Sequence, residues 1–205
     1  MDNYDVIIVG AGPAGLNCAY YLSNSKLKVL VIEKNKLIGQ KICAGGITKK
    51  GMDYMHFPPS IIENSFNDIC LNSYLFKTVI KHSEPLLYTV ERDKLGKYLL
   101  SRLKNKRNVK VILNSCVTNI KENLIIVNNK TKIKYKYLIG ADGANSIVRL
   151  FLGLATSGVD VAVQYIIPFD NKFNKLEIFY LTDKFGPWYG WVFPHKNYIC
   201  IYILK

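Results

Sequence analysis

The most constraining feature of the chain is a glycine-rich turn that follows its first apolar run. A run typical of a buried strand starts at Asp5, and it leads directly into Gly-Ala-Gly-Pro-Ala-Gly. Gly10 permits a tight turn, Gly12 lets backbone approach a phosphate, and Gly15 lets the next helix pack against the strand. A helix that opens at Pro13 would direct its N-terminal dipole and free N–H groups at that phosphate. The turn therefore predicts a binding site for the pyrophosphate of a dinucleotide.

The residues around this turn have the pattern of a dinucleotide-binding βαβ unit. An apolar helical pattern follows the turn, and a second apolar run over residues 28–32 ends on Glu33. An acid at this strand end can accept hydrogen bonds from both hydroxyls of an adenosine ribose. The alternative is an ordinary βαβ unit in which Glu33 is solvated. The turn by itself leaves FAD, NAD and NADP open.

Composition indicates a globular protein and argues against several kinds of site. The chain has 205 residues, of which 49% are hydrophobic, enough for a substantial core. No apolar run approaches the roughly 20 residues that span a bilayer, and the N-terminus lacks a basic leader region, so we expect a cytoplasmic protein. The five cysteines contain no Cys-x-x-Cys pair and the three histidines are far apart. We therefore expect neither a disulfide framework nor a metal site.

The net charge of +13 is the most unusual property of the composition. A basic surface attracts phosphate-bearing cofactors, anionic lipid headgroups or nucleic acid. The lysines are spread between apolar positions and are not grouped with aromatic stacking platforms. We therefore expect no nucleic-acid binding, whereas peripheral contact with a membrane surface stays open.

Periodicity divides the chain into an α/β part and a strand-rich part. Strands are predicted at 69–74, 76–81, 86–90, 109–113, 117–121, 124–127 and 132–139, with a glycine-rich loop over 39–51 and a helix after residue 89. The last third predicts four aromatic-rich strands at about 159–167, 176–181, 188–193 and 198–204, with a turn at Asp170-Asn171 and no helix. The expected fold class is α/β, with a Rossmann-like domain that has a βαβ start and a mixed sheet, beside an antiparallel β-sheet domain.

Several further motifs give the chain its resemblance to a known family. Gly140-Ala141-Asp142-Gly143 follows a strand, and Arg92 stands at the head of a predicted helix. With the first glycine turn, these motifs resemble the FAD-dependent oxidoreductases of the p-hydroxybenzoate hydroxylase type. Cys43-Ala44-Gly45-Gly46 is similar to the Cys-Gly-Gly-Gly loop of the geranylgeranyl reductase branch, and residues 189–194 match its Tyr-x-Trp-x-Phe-Pro box. The resemblance covers nearly the whole chain and implies FAD as the cofactor.

The resemblance also implies which residues contact the cofactor and where the domains divide. The implied cofactor-binding residues are Gly10, Gly12, Ala14, Gly15, Glu33, Ala44, Gly45, Ile47, Arg92, Val117, Asp142 and Gly143. By the resemblance, Glu33 contacts the adenosine ribose and Arg92 contacts the phosphate or ribityl region. The main chain of Val117 contacts the adenine. Arg92 as a solvated helix-start residue and Asp142 as an ordinary turn residue are the alternatives. The FAD-binding domain would comprise residues 1–65 and 91–154, and the partial substrate domain residues 66–90 and 155–205.

Two further groups of residues would face the flavin if the resemblance holds. Residues 43–46 form the loop that, by the resemblance, runs beside the flavin, and we call it the flavin loop. Cys43 in this loop is a candidate for a chemical role, although a cysteine is also a small core residue. Tyr189, Trp191 and Phe193 alternate, so their side chains lie on one face of a strand. The resemblance implies that they form an apolar wall for an isoprenoid chain; the alternative is ordinary core packing.

The chain departs from the family pattern in three places. Ile38 replaces a proline, Ala44 replaces the first glycine after the cysteine, and Tyr202 to Leu204 stand where the family has Gly-x-Gly. The chain also stops within a predicted strand, whereas family members continue for well over a hundred residues. We therefore expect a C-terminally truncated relative, which is either a fragment or a natural short form. An unpaired strand edge would then cause poor solubility or self-association.

The implied function is an FAD-dependent oxidoreductase that reduces the double bonds of an isoprenoid, of the geranylgeranyl type, in a lipid or pigment precursor. Its electron donor would be reduced ferredoxin or NAD(P)H. Two alternatives stay open at this stage. One is a flavin monooxygenase that acts on an aromatic or polyene substrate, and the other is a non-catalytic remnant that binds FAD weakly or not at all.

Overall fold

The computed structural model describes residues 1–156, 158, 160–169 and 175–204. The chain forms two compact units, one made of Met1–Gln40 and Leu95–Ser157 and the other of Lys41–Lys94 and Gly158–Lys205. In chain order the elements are β1 (Asp2–Val9), α1 (Pro13–Leu22), β2 (Val29–Ile32), β3 (Gly46–Thr48), α2 (Lys49–Met55), a 3-10 turn (Pro59–Ile61), β4 (Ile62–Phe66), β5 (Asp68–Ser73), β6 (Lys77–Lys81), β7 (Leu87–Val90), α3 (Arg92–Ser101), β8 (Val109–Ile112), β9 (Val117–Lys121), β10 (Leu124–Val127), β11 (Thr131–Gly140), α4 (Ile147–Phe151), β12 (Ala162–Pro168), β13 (Leu176–Tyr180), α5 (Thr182–Phe185), β14 (Gly190–Pro194) and β15 (Tyr198–Leu204).

The first unit contains a six-stranded mixed sheet in the order β8-β2-β1-β11-β10-β9. The strands β8, β2, β1 and β11 are parallel, and β9 and β10 continue the sheet as antiparallel strands. The four residues of β2 are all buried, which explains why this strand has an unbroken apolar sequence. The carboxyl ends of the parallel strands lie on the same side of the sheet, and the turns that follow β1, β2 and β11 therefore lie near one another.

The second unit contains a six-stranded sheet in the order β12-β15-β14-β13-β5-β6 and a three-stranded sheet in the order β3-β7-β4. All pairs are antiparallel except β13 and β5, which are parallel. The core of this unit includes Phe66, Leu176, Phe193 and Cys200. The predicted fold class, a Rossmann-like α/β part with a separate antiparallel part, is confirmed.

The bounds of the two units differ from the predicted domain bounds around residues 41–65. These residues lie in the second unit because β3 and β4 both pair with β7. The predicted loop over 39–51 contains β3 and the start of α2. Their short apolar patterns do not stand out among the glycines. The assignment of an FAD-binding and a substrate function to the two parts stays a prediction.

Two expectations for the last third are corrected or lie outside the described residues. The expectation of no helix there is wrong, because α5 forms a single helical turn. Four residues are too few to show an apolar helical period. The predicted turn at Asp170-Asn171 lies outside the described residues.

The edges of the larger sheet of the second unit are β12 and β6. The strand β15, which was expected to leave an unpaired edge, has β12 on one side and β14 on the other. On β12, the side chains of Val163, Tyr165, Ile166 and Ile167 are exposed. Self-association through such an apolar edge stays a prediction. In the described part of the chain, no helix is long and apolar enough to cross a membrane.

Candidate functional site

The three glycines of the first turn have different structural roles. Gly10 has a φ of +102°, and a Cβ there would lie 2.3 Å from the carbonyl oxygen of Ala141. A Cβ at Gly15 would lie 1.9 Å from the carbonyl oxygen of Gly10. At Gly12, by contrast, no atom lies within 4 Å of an added Cβ. Packing within the protein therefore requires glycine at 10 and 15, whereas Gly12 borders open space.

That open space lies at the N-terminus of α1, a ten-residue helix. Gly12 is the N-cap residue and has no side chain with which to cap the helix, Pro13 is the first helical residue, and the first turn contains no acid. Ala14 is exposed. Uncapped N–H groups at the positive end of a helix dipole bind phosphate oxygens. The predicted pyrophosphate-binding residues are thus brought together in a form that fits an anion.

Glu33 lies beside this turn and is buried, so it is not the solvated residue of the alternative interpretation. Its Oε2 accepts a hydrogen bond from the Ala11 N–H at 2.8 Å, and its Oε1 accepts one from the Asn35 N–H at 2.9 Å. A carboxylate offers about four acceptor positions, so each oxygen can accept one further hydrogen bond. Two ribose hydroxyls would match these remaining positions.

Asp142 forms hydrogen bonds at the start of α4, whose N-cap residue is Ser146. Its Oδ1 accepts a hydrogen bond from the Ser146 hydroxyl at 2.6 Å, and its Oδ2 accepts from the N–H groups of Ile147 and Val148 at 2.7 and 3.3 Å. These contacts satisfy the start of α4. The neighbouring Gly143 has a φ of +78°, which suits glycine in the turn. A contact of Asp142 or Gly143 with the cofactor stays a prediction.

Val117 begins β9, the outermost strand of the described sheet. Its side chain is buried in the core of the first unit. One edge of an outermost strand is free of ladder hydrogen bonds, so its main chain can bind another group. The predicted adenine contact through the Val117 main chain is compatible with this position and stays a prediction.

In the second unit, the predicted flavin loop packs closely against β7 and β14. Ala44 is buried, and Gly45 has a φ of +74°. The Val90 N–H donates a hydrogen bond to the Gly45 carbonyl oxygen at 2.9 Å. A Cβ at Gly46 would lie 2.3 Å from Cε2 of Phe193. Ile47 continues the loop into β3, where it is paired with β7. The Cys43 side chain is exposed. The loop conformation thus depends on two glycines that lack room for a side chain.

Arg92 is the first residue of α3, as the sequence predicts. Its Nε is buried and has no hydrogen-bond partner among the described residues. Buried polar groups in native proteins are almost always paired, so an unpaired guanidinium donor fits a site that a ligand oxygen completes. The structure is compatible with the predicted phosphate or ribityl contact.

The three aromatic residues of the Tyr-x-Trp-x-Phe-Pro box form a continuous row. Ring centroids lie 5.2 Å apart for Tyr189 and Trp191 and 5.9 Å apart for Trp191 and Phe193. Tyr202 on β15 stacks on Trp191 at 4.7 Å with an interplanar angle of 6°. Phe193 is buried in the core, whereas Tyr189 and Trp191 are only partly buried. Their role as a substrate wall stays a prediction, and Phe193 also has a packing role.

The second unit contains a buried acid–histidine pair that was not predicted from the sequence. His195 Nδ1 lies 2.5 Å from Oε2 of Glu63, and its Nε2 lies 2.9 Å from the carbonyl oxygen of Ala44. The side chains of His195 and Glu63 are 2% and 7% exposed. The available signal was that His195 directly follows the Phe-Pro pair of the aromatic box.

The remaining candidate groups show no metal-binding arrangement among the described residues. No group of three or more His, Cys, Asp or Glu side chains within residues 1–156, 158, 160–169 and 175–204 could hold a metal ion. Of the cysteines, Cys43 and Cys116 are exposed, and Cys70 and Cys200 are buried. Burial raises the pKa of the Cys200 thiol to about 11.

The comparisons with known proteins agree with this arrangement of elements. A family model described as pyridine nucleotide-disulphide oxidoreductase matches residues 4–149, which include the glycine turn, Glu33 and Asp142. The chain belongs to the pyridine nucleotide-disulphide oxidoreductase family. The match includes β1, α1, β2 and β11. The glycine turn follows β1, Glu33 follows β2, and the turn with Asp142 follows β11.

Relatives of this pyridine nucleotide-disulphide oxidoreductase family member include proteins of Methanosarcina barkeri and Methanococcoides burtonii. The chain is 33% identical over 98% of its length to an uncharacterized protein of Methanosarcina barkeri, of which it covers 54%. It is 32% identical over 94% of its length to digeranylgeranylglycerophospholipid reductase 2 of Methanococcoides burtonii, of which it covers 52%. The chain therefore spans about half the length of the curated relatives it matches. The resemblance to geranylgeranyl reductases, predicted from the motifs, is confirmed.

A solved structure supports the same comparison for the fold. The chain is similar, over all of its length, to a geranylgeranyl bacteriochlorophyll reductase-like protein of Thermoplasma acidophilum, with a TM-score of 0.88 and 26% identity. The chain covers 57% of that protein. The fold of this oxidoreductase family member is thus that of the matching part of a longer protein.

Proposed function

We propose that this chain binds FAD and is the cofactor-binding part of an oxidoreductase that reduces isoprenoid double bonds. One observation carries the proposal: Gly12 borders open space at an uncapped helix N-terminus, with Glu33 beside it. The turn would bind the pyrophosphate through backbone N–H groups, and Glu33 would bind the adenosine ribose. FAD, when bound and reduced by the electron donor, would supply the reducing equivalents for the double bond.

The chain's own residues would bind and orient the two partners of the reaction. The buried Nε of Arg92 would donate to a phosphate or ribityl oxygen, and the main chain of Ala44, Gly45 and Ile47 would lie at the flavin. Tyr189 and Trp191 would provide apolar surface for the substrate and exclude water. The buried Nε1 of Trp191, which has no partner among the described residues, could donate to a polar group of that substrate.

Two features support an isoprenoid lipid precursor as the substrate class. The aromatic row matches the box of the geranylgeranyl reductases, and several relatives are named digeranylgeranylglycerophospholipid reductases. The net charge of +13 would favour peripheral contact with an anionic membrane surface, where such a substrate resides. The electron donor would be reduced ferredoxin or NAD(P)H.

The decisive experiment mixes the FAD-loaded, photoreduced chain with a geranylgeranyl lipid without oxygen. We expect the flavin absorbance near 450 nm to return and a saturated lipid to form. The matched control is the same lipid with fully saturated chains, which should leave the flavin reduced. If neither lipid reoxidises the flavin, the chain does not carry out this reduction.

The same preparation distinguishes the alternatives. A monooxygenase would turn over only with oxygen, and it would consume oxygen in proportion to product. A non-catalytic remnant, which binds FAD weakly or not at all, would purify without FAD and show no flavin absorbance in its visible spectrum. Retention of about one FAD per chain would exclude the remnant.

A further inference from the structure

The pair formed by Glu63 and His195 joins three parts of the second unit. Glu63 lies on β4, His195 directly follows β14, and Ala44 lies in the loop before β3. The imidazole of His195 contacts the other two through its two nitrogens, at 2.5 Å to the carboxylate and at 2.9 Å to the Ala44 carbonyl oxygen. All three residues are buried or nearly so, and water cannot replace these contacts at low cost.

The chemistry of the two contacts fixes where protons must be. A carbonyl oxygen only accepts hydrogen bonds, so Nε2 of His195 must carry a proton to contact Ala44. The contact between Nδ1 and the Glu63 carboxylate requires a second proton between those two groups. Without it, two acceptors would face each other in a buried position. The pair therefore holds one proton between the Glu63 carboxylate and Nδ1 of His195. The other proton, on Nε2, is donated to the carbonyl oxygen of Ala44 in the loop.

The surrounding residues keep the imidazole in this orientation. The ring of Tyr198 stacks on that of His195 at 4.3 Å with an interplanar angle of 9°. The His195 N–H donates to the Tyr198 carbonyl oxygen at 2.8 Å. The carbonyl oxygen of Pro194 accepts hydrogen bonds from Asn64 and Thr89, at 3.1 and 3.0 Å. The end of β14 is thus held to both β4 and β7.

Charged residues complete the environment of the pair. Nζ of Lys94 lies 3.8 Å from Oε1 of Glu63 and 2.7 Å from Glu91. Burial, together with the negative charges of Glu63 and Glu91, raises the pKa of Tyr198, so its phenol stays neutral. The partly exposed Lys94 thus places a positive charge near the Glu63 carboxylate.

What the pair holds is the loop whose main chain is proposed to lie at the flavin. The residue after Ala44, Gly45, accepts a hydrogen bond from the Val90 N–H. It has no room for a side chain, because a Cβ would lie 2.3 Å from the Val90 carbonyl oxygen and 3.0 Å from Cε1 of His195. We propose that His195, held by Glu63, is a positioning residue that fixes the main chain of Ala44 and Gly45 for cofactor binding. We call the hydrogen-bonded arrangement of Glu63, His195 and Ala44 the clamp. The role of the clamp toward FAD rests on the proposed function, whereas the clamp itself does not.

The clamp is tested first in the protein without added FAD. Hydrogen exchange of the Val90 N–H reports on the loop, because its acceptor is the carbonyl oxygen of Gly45. We expect His195→Ala to accelerate this exchange about tenfold or more, because the loop loses a buried donor. His82→Ala, which removes an exposed histidine of the same unit, is the matched control and should leave the exchange unchanged. Equal exchange in His195→Ala and the unsubstituted protein would overturn the proposal.

A second variant keeps the test valid if His195→Ala does not fold. In Glu63→Gln, the amide can donate to Nδ1 of a neutral imidazole that still carries its proton on Nε2, so Val90 exchange should stay within about twofold of the unsubstituted protein. Nitrogen NMR of the histidines should show Nε2 of His195 protonated in both proteins. An Nε2 without a proton in either protein would overturn the proposal.

FAD titration then tests the role of the clamp toward the cofactor. We expect His195→Ala to bind FAD about tenfold more weakly than the unsubstituted protein, and His82→Ala to bind it equally well. Equal FAD affinity of His195→Ala and the unsubstituted protein would reject the positioning role even if Val90 exchange changed. If the unsubstituted protein bound no FAD, the proposed function would fail, whereas Val90 exchange and the nitrogen signals would still decide on the clamp.

Discussion

At the scale of single residues, the open space beside Gly12 distinguishes a ligand site from a tight turn. Gly10 and Gly15 are required by packing against Ala141 and against each other, which any closely packed βαβ unit could demand. Gly12 has no such requirement. A glycine without a structural reason, at an uncapped helix N-terminus, is best explained by the close approach of a ligand.

The cysteines allow a direct test of the residue environments. In the native protein at pH 8, we expect iodoacetamide to modify Cys43 and Cys116, which are exposed, and to leave Cys70 and Cys200 unmodified. The thiolate is the reactive form, and a Cys200 pKa of about 11 leaves on the order of 0.1% thiolate at that pH. Mass spectrometry of the digested protein measures the outcome.

The control for the labelling is the same reaction in urea, where all five thiols should react. Modification of Cys200 in the native protein at the rate of Cys43 would show that the core around β15 is not packed as described.

At the scale of elements, the turn after β11 has a structural role that the sequence alone did not reveal. Asp142 was predicted to contact the cofactor, yet its carboxylate accepts three hydrogen bonds at the start of α4. A helix of five residues has little stability of its own and depends on such hydrogen bonds to its N-cap residue Ser146 and its first N–H groups.

We therefore expect Asp142→Ala to lower the free energy of unfolding by about 1–2 kcal/mol in the absence of FAD. Urea denaturation measures this change. Asp68→Ala, at an exposed acid at the start of β5, is the matched control and should change stability by less than about 0.5 kcal/mol. An unchanged stability of Asp142→Ala would leave cofactor binding as the reason for an acid at this position.

The elements that the sequence predicted well are those with a strong local pattern. The hairpin of β9 and β10 and the parallel strand β8 have the predicted bounds to within a residue, because alternating or continuous apolar runs identify them. The strands β3 and β4 were missed, since they are short and owe their conformation to pairing with β7. The helical turn α5 was missed for the same reason of length.

The site shows the same division between local and long-range information. The glycine turn and Glu33 are recognisable because their spacing is local. Glu63 and His195 are 132 positions apart in the sequence, and a local sequence pattern does not predict a contact between such distant residues. The packing of Gly46 against Phe193 likewise becomes visible only when β3 and β14 are brought together.

At the scale of the whole molecule, the residues proposed to bind the cofactor and the substrate are distributed over the two compact units. The first unit carries the glycine turn and Glu33, and the second carries the flavin loop, Arg92 and the aromatic row. The chain spans about half the length of its named relatives. Cofactor binding by the first turn can nevertheless be tested on the chain itself.

The most direct test of the account is an FAD titration of the chain with glycine replaced at two open positions. Gly12 and Gly158 both lack neighbours within 4 Å of an added Cβ, and neither has a positive φ, so Gly12→Val and Gly158→Val should both fold. We expect the unsubstituted protein and Gly158→Val to bind FAD equally. Gly12→Val should bind it at least about tenfold more weakly, because the side chain fills the space for the pyrophosphate. Equal affinity of the two variants, with both folded, would contradict the account.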